Sequence, residues 1–175
     1  MKIIIIGREA SQCDVIVESG YVSNYHAEII QLDNGEMYIV DKSTNGTFVN
    51  NVRLTKGKET PVHRGDKVFI ADVPLDWSKI ADINLPKNVK KVINIGSHYM
   101  NDITIQGDKV SRFHASIRIM NDGKYYILDN SKNVTIVNGK RIPKDRPVLL
   151  RSGDTISCAG VPVRNPVPKS RPWAI

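Results

Sequence analysis

The sequence predicts an all-β protein built as two tandem β-sandwiches, and three observations carry that prediction. Short Val- and Ile-rich runs alternate with Gly, Asn and Asp clusters, and no stretch keeps a helical period. The chain also matches itself in one register at an offset of 88 residues. Its 175 residues, 41% of them hydrophobic, are enough for two small packed cores.

In the first copy the strand-length runs lie at 3–6, 14–17, 27–32, 37–41, 47–50 and 67–70. Runs this short at such spacing, rich in β-branched residues, suit a sandwich with Greek-key-like connections. The repeat places Asp14, Ser23, His26, Ala27, Asp41, Asn45, Thr47, Asn50, Gly65, Asp66 and Pro74 on identical residue types 88 positions later. Their partners are Asp102, Ser111, His114, Ala115, Asp129, Asn133, Thr135, Asn138, Gly153, Asp154 and Pro162. Gly7 and Gly96 are 89 apart, so one residue is lost in the loop between. The expected organisation is a first domain over 1–76, a linker over 77–90 and a second domain over 91–163. A Pro-bearing basic tail follows over 164–175.

Charge separates the two copies. Residues 1–85 carry 9 Lys and Arg against 12 Asp and Glu, while residues 86–175 carry 16 against 6. The net +7 therefore sits in the second half, and the two halves do not share one electrostatic task. No run approaches the roughly 18 apolar residues that cross a bilayer. Two cysteines, Cys13 and Cys158, lack metal-ligand spacing, and no signal peptide is read, so a reducing cytoplasmic setting is expected.

In the first copy the inter-strand loops hold Gly7-Arg8, then Ser23-Asn24-Tyr25-His26, then Ser43-Thr44-Asn45-Gly46-Thr47 with Asn50 beyond. Singly these are ordinary turn residues. Together, on successive loops, they supply what a dianion on a peptide needs. Arg8 offers a charged fork, and Ser23, Asn24, Thr44 and Asn45 offer short-armed hydrogen-bonding groups. The trio Ser23, His26 and Asp41, repeated as Ser111, His114 and Asp129, invites comparison with a catalytic triad. No nucleophile elbow surrounds the serine, and its histidine shares the same short loop, so a duplicated loop brace is the better reading. Neither a nucleotide-cradling glycine loop nor a metal cluster is present, so neither an enzyme nor a cofactor is expected.

The pattern Gly-Arg, Ser-x-x-His and Ser-Thr-Asn-Gly-Thr with a later Asn resembles the forkhead-associated domain, over residues 1–75 and again over 91–163. The resemblance implies eleven-stranded β-sandwiches whose loops at one end bind phosphothreonine in an extended peptide downstream of a Ser/Thr kinase. It implies that Arg8 pairs with the phosphate and that Ser23 donates to a phosphate oxygen. Asn24 and Thr44 would touch the phosphate or its neighbouring backbone, and Asn45 the peptide main chain. Gly7 and Gly46 would be backbone positions, and His26 a structural histidine.

The second copy departs where phosphate binding is concerned. Ser97 replaces Arg8, Lys132 replaces Thr44 and Val134 replaces Gly46. A β-branched residue resists the positive φ that Gly46 supplies, so a different loop course is expected. Ser111 and His114 persist with Arg112 between them. Ser111, Arg112, Lys132 and Asn133, with His98, are the candidates for a second site. The expected role of this copy is a scaffold or docking partner. The alternative is a surface for another acidic ligand, a nucleic acid or an anionic membrane, although no aromatic-studded nucleic-acid motif supports the former.

Overall fold

The computed structural model describes residues 1–83, 85–144 and 146–169. It divides into two compact units, Met1–Asn84 and Leu85–Ile175. The first contains β1 (Lys2–Gly7), β2 (Val15–Ile16), β3 (Ala27–Gln31), β4 (Met37–Asp41), β5 (Thr47–Val49), β6 (Val52–Arg53), β7 (Thr60–Val62), β8 (Val68–Ile70) and β9 (Val73–Pro74). One sheet runs in the order β2-β1-β3-β4-β7 and the other in the order β6-β5-β8-β9. In the first sheet β1 pairs antiparallel with β3, Ile4 opposite Ile29, and β3 with β4, Ile29 opposite Ile39. Period-2 alternation then sends Ile4, Ile6, Ile29 and Ile39 inward against Val49, Val68 and Ile70 of the second sheet. Each such residue contributes about 1.5–3 kcal/mol when fully buried.

The second unit repeats the plan. It contains β10 (Val89–Gly96), β11 (Ile103–Thr104), β12 (Ala115–Met120), β13 (Tyr125–Asp129), β14 (Thr135–Val137), β15 (Lys140–Arg141), β16 (Val148–Leu150), β17 (Ile156–Cys158) and β18 (Val161–Val163). Its sheets run β11-β10-β12-β13-β16 and β15-β14-β17-β18 around a core of Ile95, Ile117, Ile127, Val137, Ile156 and neighbours. The predicted all-β tandem is the observed fold. Among the described residues each unit has nine strands where the resemblance implied eleven. The loops between them satisfy backbone groups with side chains instead of further ladders: Thr44 N–H donates to Ser23 Oγ and Gly46 N–H to Ser43 Oγ.

The linker expected over 77–90 is shortened at both ends. Trp77–Lys79 form a 3-10 turn, Ile80 is 2% exposed within the first core, and Arg64 donates to the carbonyls of Trp77 and Ile80 and pairs with Asp82. An apolar residue and a carbonyl cluster that the first core satisfies are not a free spacer. At the other end β10 already begins at Val89. The expected tail is likewise anchored at its start: Asn165 Nδ2 donates to the carbonyls of Arg151 and Asp154, and Val167 packs on the second core. Residues 170–175 of that tail lie outside the described residues. Among the described residues, no helix is long and apolar enough to cross a membrane.

Candidate functional site

In the first unit the loops after β1, before β3 and after β4 meet at one end of the sandwich. The backbone sets the approach: Arg8 N–H donates to Ser23 O at 3.0 Å and Glu9 N–H to Asn24 O at 3.3 Å. This is why residue 7 is glycine. A Cβ there would sit 2.2 Å from Asn24 O. Gly46 is needed for another reason, its φ of +99°.

On this frame the structure brings Arg8, Ser23, Asn24, Thr44 and Asn45 together. The Arg8 guanidinium is exposed and reaches Asn24 Oδ1 at 3.5 Å. Thr44 N–H donates to Ser23 Oγ at 3.2 Å. A hydroxyl accepting in this way keeps its own proton to give to an incoming oxygen. Asn45 Nδ2 donates to Tyr21 O at 2.8 Å, which ties the third loop to the second. Arg53, which sequence reasoning did not single out, lies beneath the third loop, with Nη2 3.5 Å from Thr44 O. It sits on β6, outside the motif, and only a folded hairpin brings it near.

Beneath the surface is a brace. His26 is fully buried; its Nδ1 accepts from Ser23 N–H at 3.0 Å, so Nε2 carries the proton and donates to Gly46 O at 2.9 Å. Burial holds the ring pKa below its usual range, against the opposing pull of the Gly46 carbonyl and Asp41. Asp41 Oδ1 accepts from Ser43 N–H at 3.0 Å, Ser43 Oγ at 2.5 Å and Thr47 Oγ1 at 2.9 Å. The histidine thus spends both nitrogens on backbone and the aspartate serves its own loop. No relay joins Ser23, His26 and Asp41.

The second unit keeps the brace. Ser111 N–H donates to His114 Nδ1 at 3.0 Å, and His114 Nε2 lies 2.9 Å from Val134 O. Asp129 Oδ1 accepts from Ser131 and Thr135 as Asp41 does from Ser43 and Thr47. A Cβ at Gly96 would meet Arg112 O at 2.1 Å, repeating the Gly7 approach. Lys132 N–H donates to Ser111 Oγ at 3.2 Å, so Ser111, Arg112, Lys132 and Asn133 occupy matching places.

The chemistry on top differs. The described positive-φ residues of this unit are Asn138, Ala159 and four glycines, so Val134 lies outside the left-handed region that Gly46 occupies. In its neighbourhood Lys144 reaches in: Nζ donates to Ser131 O and Asn133 O at 2.6 Å each and pairs with Asp129 Oδ2 at 3.0 Å. Burial pushes the Asp129 carboxyl up, but hydrogen bonds from Ser131, Lys144 and Thr135 outweigh it and hold the group below the usual range. Sequence reasoning missed Lys144, because its repeat partner Lys56 is also a lysine and the position shows no change of residue type. His98, the third candidate cation, accepts from Met100 N–H on Nδ1 and stacks on Tyr99 at 4.6 Å. It is built into its own loop.

The comparisons with known proteins agree with this architecture. The FHA domain family model matches the chain twice, over residues 4–71 and 93–158. The Schizosaccharomyces pombe serine/threonine-protein kinase cds1 is 28% identical over 155 residues, 78% of this chain and 31% of the kinase. The Saccharomyces cerevisiae DNA damage response protein kinase DUN1 is 30% identical over 111 residues, 58% of this chain and 21% of that kinase. The chain thus spans less than a third of either relative. Among solved structures, the N-terminal FHA domain of S. cerevisiae Rad53p, in complex with a phosphothreonine peptide, is 22% identical. It covers 66% of this chain and 82% of that one, with a TM-score of 0.41. With both matches falling on the two structural units, the chain belongs to the FHA domain family, of which it carries two copies.

Proposed function

We propose that the first unit reads phosphothreonine in an extended peptide, as a binding module in Ser/Thr-kinase signalling, and that the second unit does not share that ligand. The observation that carries the reading is the exposed Arg8 guanidinium beside Asn24 and a Ser23 hydroxyl already oriented by Thr44 N–H. Family membership and the kinase relatives support it. Arg8 would pair with the phosphate and Ser23 would donate to one of its oxygens. Asn24 and Thr44 would contact the phosphate or its neighbouring backbone, Asn45 would hold the peptide main chain, and Gly7, His26 and Gly46 would keep the loops in place.

A phosphate carries about −1.5 to −2 charges at pH 7, and each hydrogen bond to a charged group adds roughly 1.5–3 kcal/mol. A few such bonds, less the cost of ordering the peptide, give an affinity on the order of micromolar. The second unit has Ser97 in place of Arg8, and its half-exposed Lys144 is committed to Asp129 and two carbonyls. Two free thiols, Cys13 and Cys158, support a reducing cytoplasmic location.

Titration calorimetry with a degenerate phosphothreonine peptide pool and its unphosphorylated twin tests this. The expected result is phospho-dependent binding at one site per chain, weakened about 100-fold in Arg8→Ala, a loss of ~2.7 kcal/mol. Wild-type affinity in that variant, or equal binding of the two pools, would refute the assignment.

A further inference from the structure

The second unit has a groove that the phosphothreonine reading does not use. About 490 Å³ in volume, it lies along the seam where the two sheets end. Strand β15 is the outermost strand of one sheet and β16 of the other, so unpaired strand edges flank the groove. Its apolar wall comes from Val137, Ile142, Pro143, Val148 and Leu149, the last 38% exposed. Its cations are Lys140, Arg141 and Arg151, all exposed. The one acid in the lining, Asp154, is already engaged: Oδ1 accepts from Asn138 Nδ2 and Oδ2 from Arg151 N–H.

Edge strands often carry lysine or proline simply to prevent edge-to-edge pairing. That explanation does not cover this groove. The matching edges of the first unit, β6 and β7, have Val52 where Lys140 stands, Thr55 for Pro143, Pro61 for Leu149 and His63 for Arg151. Val52 is left 65% exposed there. Arg141 has a counterpart in Arg53, but Lys140 and Arg151 have no cationic one, and a guard has no use for an apolar trough. Three of the 16 Lys and Arg of the second half line this site, which is also apolar.

We propose that the seam between β15 and β16 is a docking groove for an extended, acidic protein segment with interleaved apolar side chains. An extended strand alternates its side chains, so one face can fill the trough of Ile142, Val148 and Leu149 while carboxylates on the other meet Lys140, Arg141 and Arg151. A phosphodiester backbone fits less well. It has no apolar side chains for the wall, the lining has no aromatic ring for a base to stack on, and Asp154 stands within it.

The test uses the full chain and fluorescence anisotropy with a labelled peptide of about nine alternating glutamates and leucines. Probes of similar length, polyglutamate and a single-stranded oligonucleotide, and vesicles containing anionic lipid serve as rivals. The peptide is expected to bind wild type more tightly than any rival. Lys140→Glu/Arg151→Gln, both at exposed positions, should weaken it at least about tenfold. Leu149→Ser should weaken it about threefold and leave polyglutamate binding unchanged. Arg8→Ala should bind as wild type does, which separates this groove from the phosphothreonine site. Absent peptide binding, wild-type binding in the groove variants, loss in Arg8→Ala, or tighter binding of the oligonucleotide or vesicles would each overturn the proposal.

Discussion

The two loop ends share a scaffold and differ in what they present. Both hold a fully buried histidine whose nitrogens join the second loop to the third, and both hold a buried aspartate that gathers a serine and a threonine of its own loop. Only the first adds an arginine directly after the β1 glycine and a left-handed glycine in the third loop. The difference teaches which residues serve the fold and which serve the ligand. His26, Asp41, Ser43 and Thr47 have counterparts that do the same work where Arg8 is absent, so their work is structural. Arg8 and Gly46 are replaced, so the sandwich folds without them.

The largest effect that would test this division comes from the buried carboxylates. Asp41→Ala strands two hydroxyls, whereas Asp129→Ala strands two hydroxyls and also removes the carboxylate that Lys144 pairs with. The Lys144 side chain is 48% exposed, so losing its carboxylate adds only up to about 1 kcal/mol to the roughly 1–3 kcal/mol that the stranded hydroxyls cost in either unit. Urea denaturation of each variant should therefore show the second unit losing more than the first. Equal losses would mean that Lys144 contributes nothing to its loop.

A smaller effect isolates the lysine itself. Lys144→Met keeps the length of the side chain and removes three donors from Ser131 O, Asn133 O and Asp129; a loss of about 1–3 kcal/mol is expected. Lys56→Met, at the matching exposed position, should stay within about 0.5 kcal/mol of wild type. Hydrogen exchange over 131–134 offers a second reading of the same comparison, with protection falling in Lys144→Met alone.

The fold was legible because period-2 alternation and the 88-residue repeat are written into side-chain type and spacing. Ile4, Ile6, Ile29 and Ile39 face inward as alternation requires. The loop residues that meet at one end were legible as a motif, since Gly7 marks a close backbone approach and Gly46 a left-handed turn. Val134 was legible for the converse reason. Domain edges were not. Ile80 belongs to the first core and Val89 to a strand, but composition around Pro86 shows only a break between them. Nor were Arg53 and Lys144 legible, because neither belongs to a local pattern. Each gains its partners only in the folded chain, Arg53 from β6 and Lys144 from the connection after β15, and a lysine held by a buried aspartate reads the same in sequence as one that is not.

The smallest expected effect concerns protons. Burial lowers the pKa of both His26 and His114, and Lys144 lowers that of His114 further, an influence that His26 lacks. In the unfolded chain each ring takes a proton near pH 6.5, while the folded ring stays neutral to lower pH. Below about pH 6.5 the unfolded state thus binds more protons, and stability falls with pH until the folded rings protonate as well. The slope is at most about 1.4 kcal/mol per pH unit per histidine, and stability from this source is complete above pH 6.5 or so. Denaturant midpoints recorded between about pH 6.5 and 5 should fall, and His26→Gln should reduce the slope. Following the ring protons by NMR sharpens the comparison between the units: Lys144→Met should move His114 upward without moving His26. If His114 did not move in Lys144→Met, the cation beside it would not be where the structure has it, and the account of how the second unit closes its loop without a glycine would fall with it.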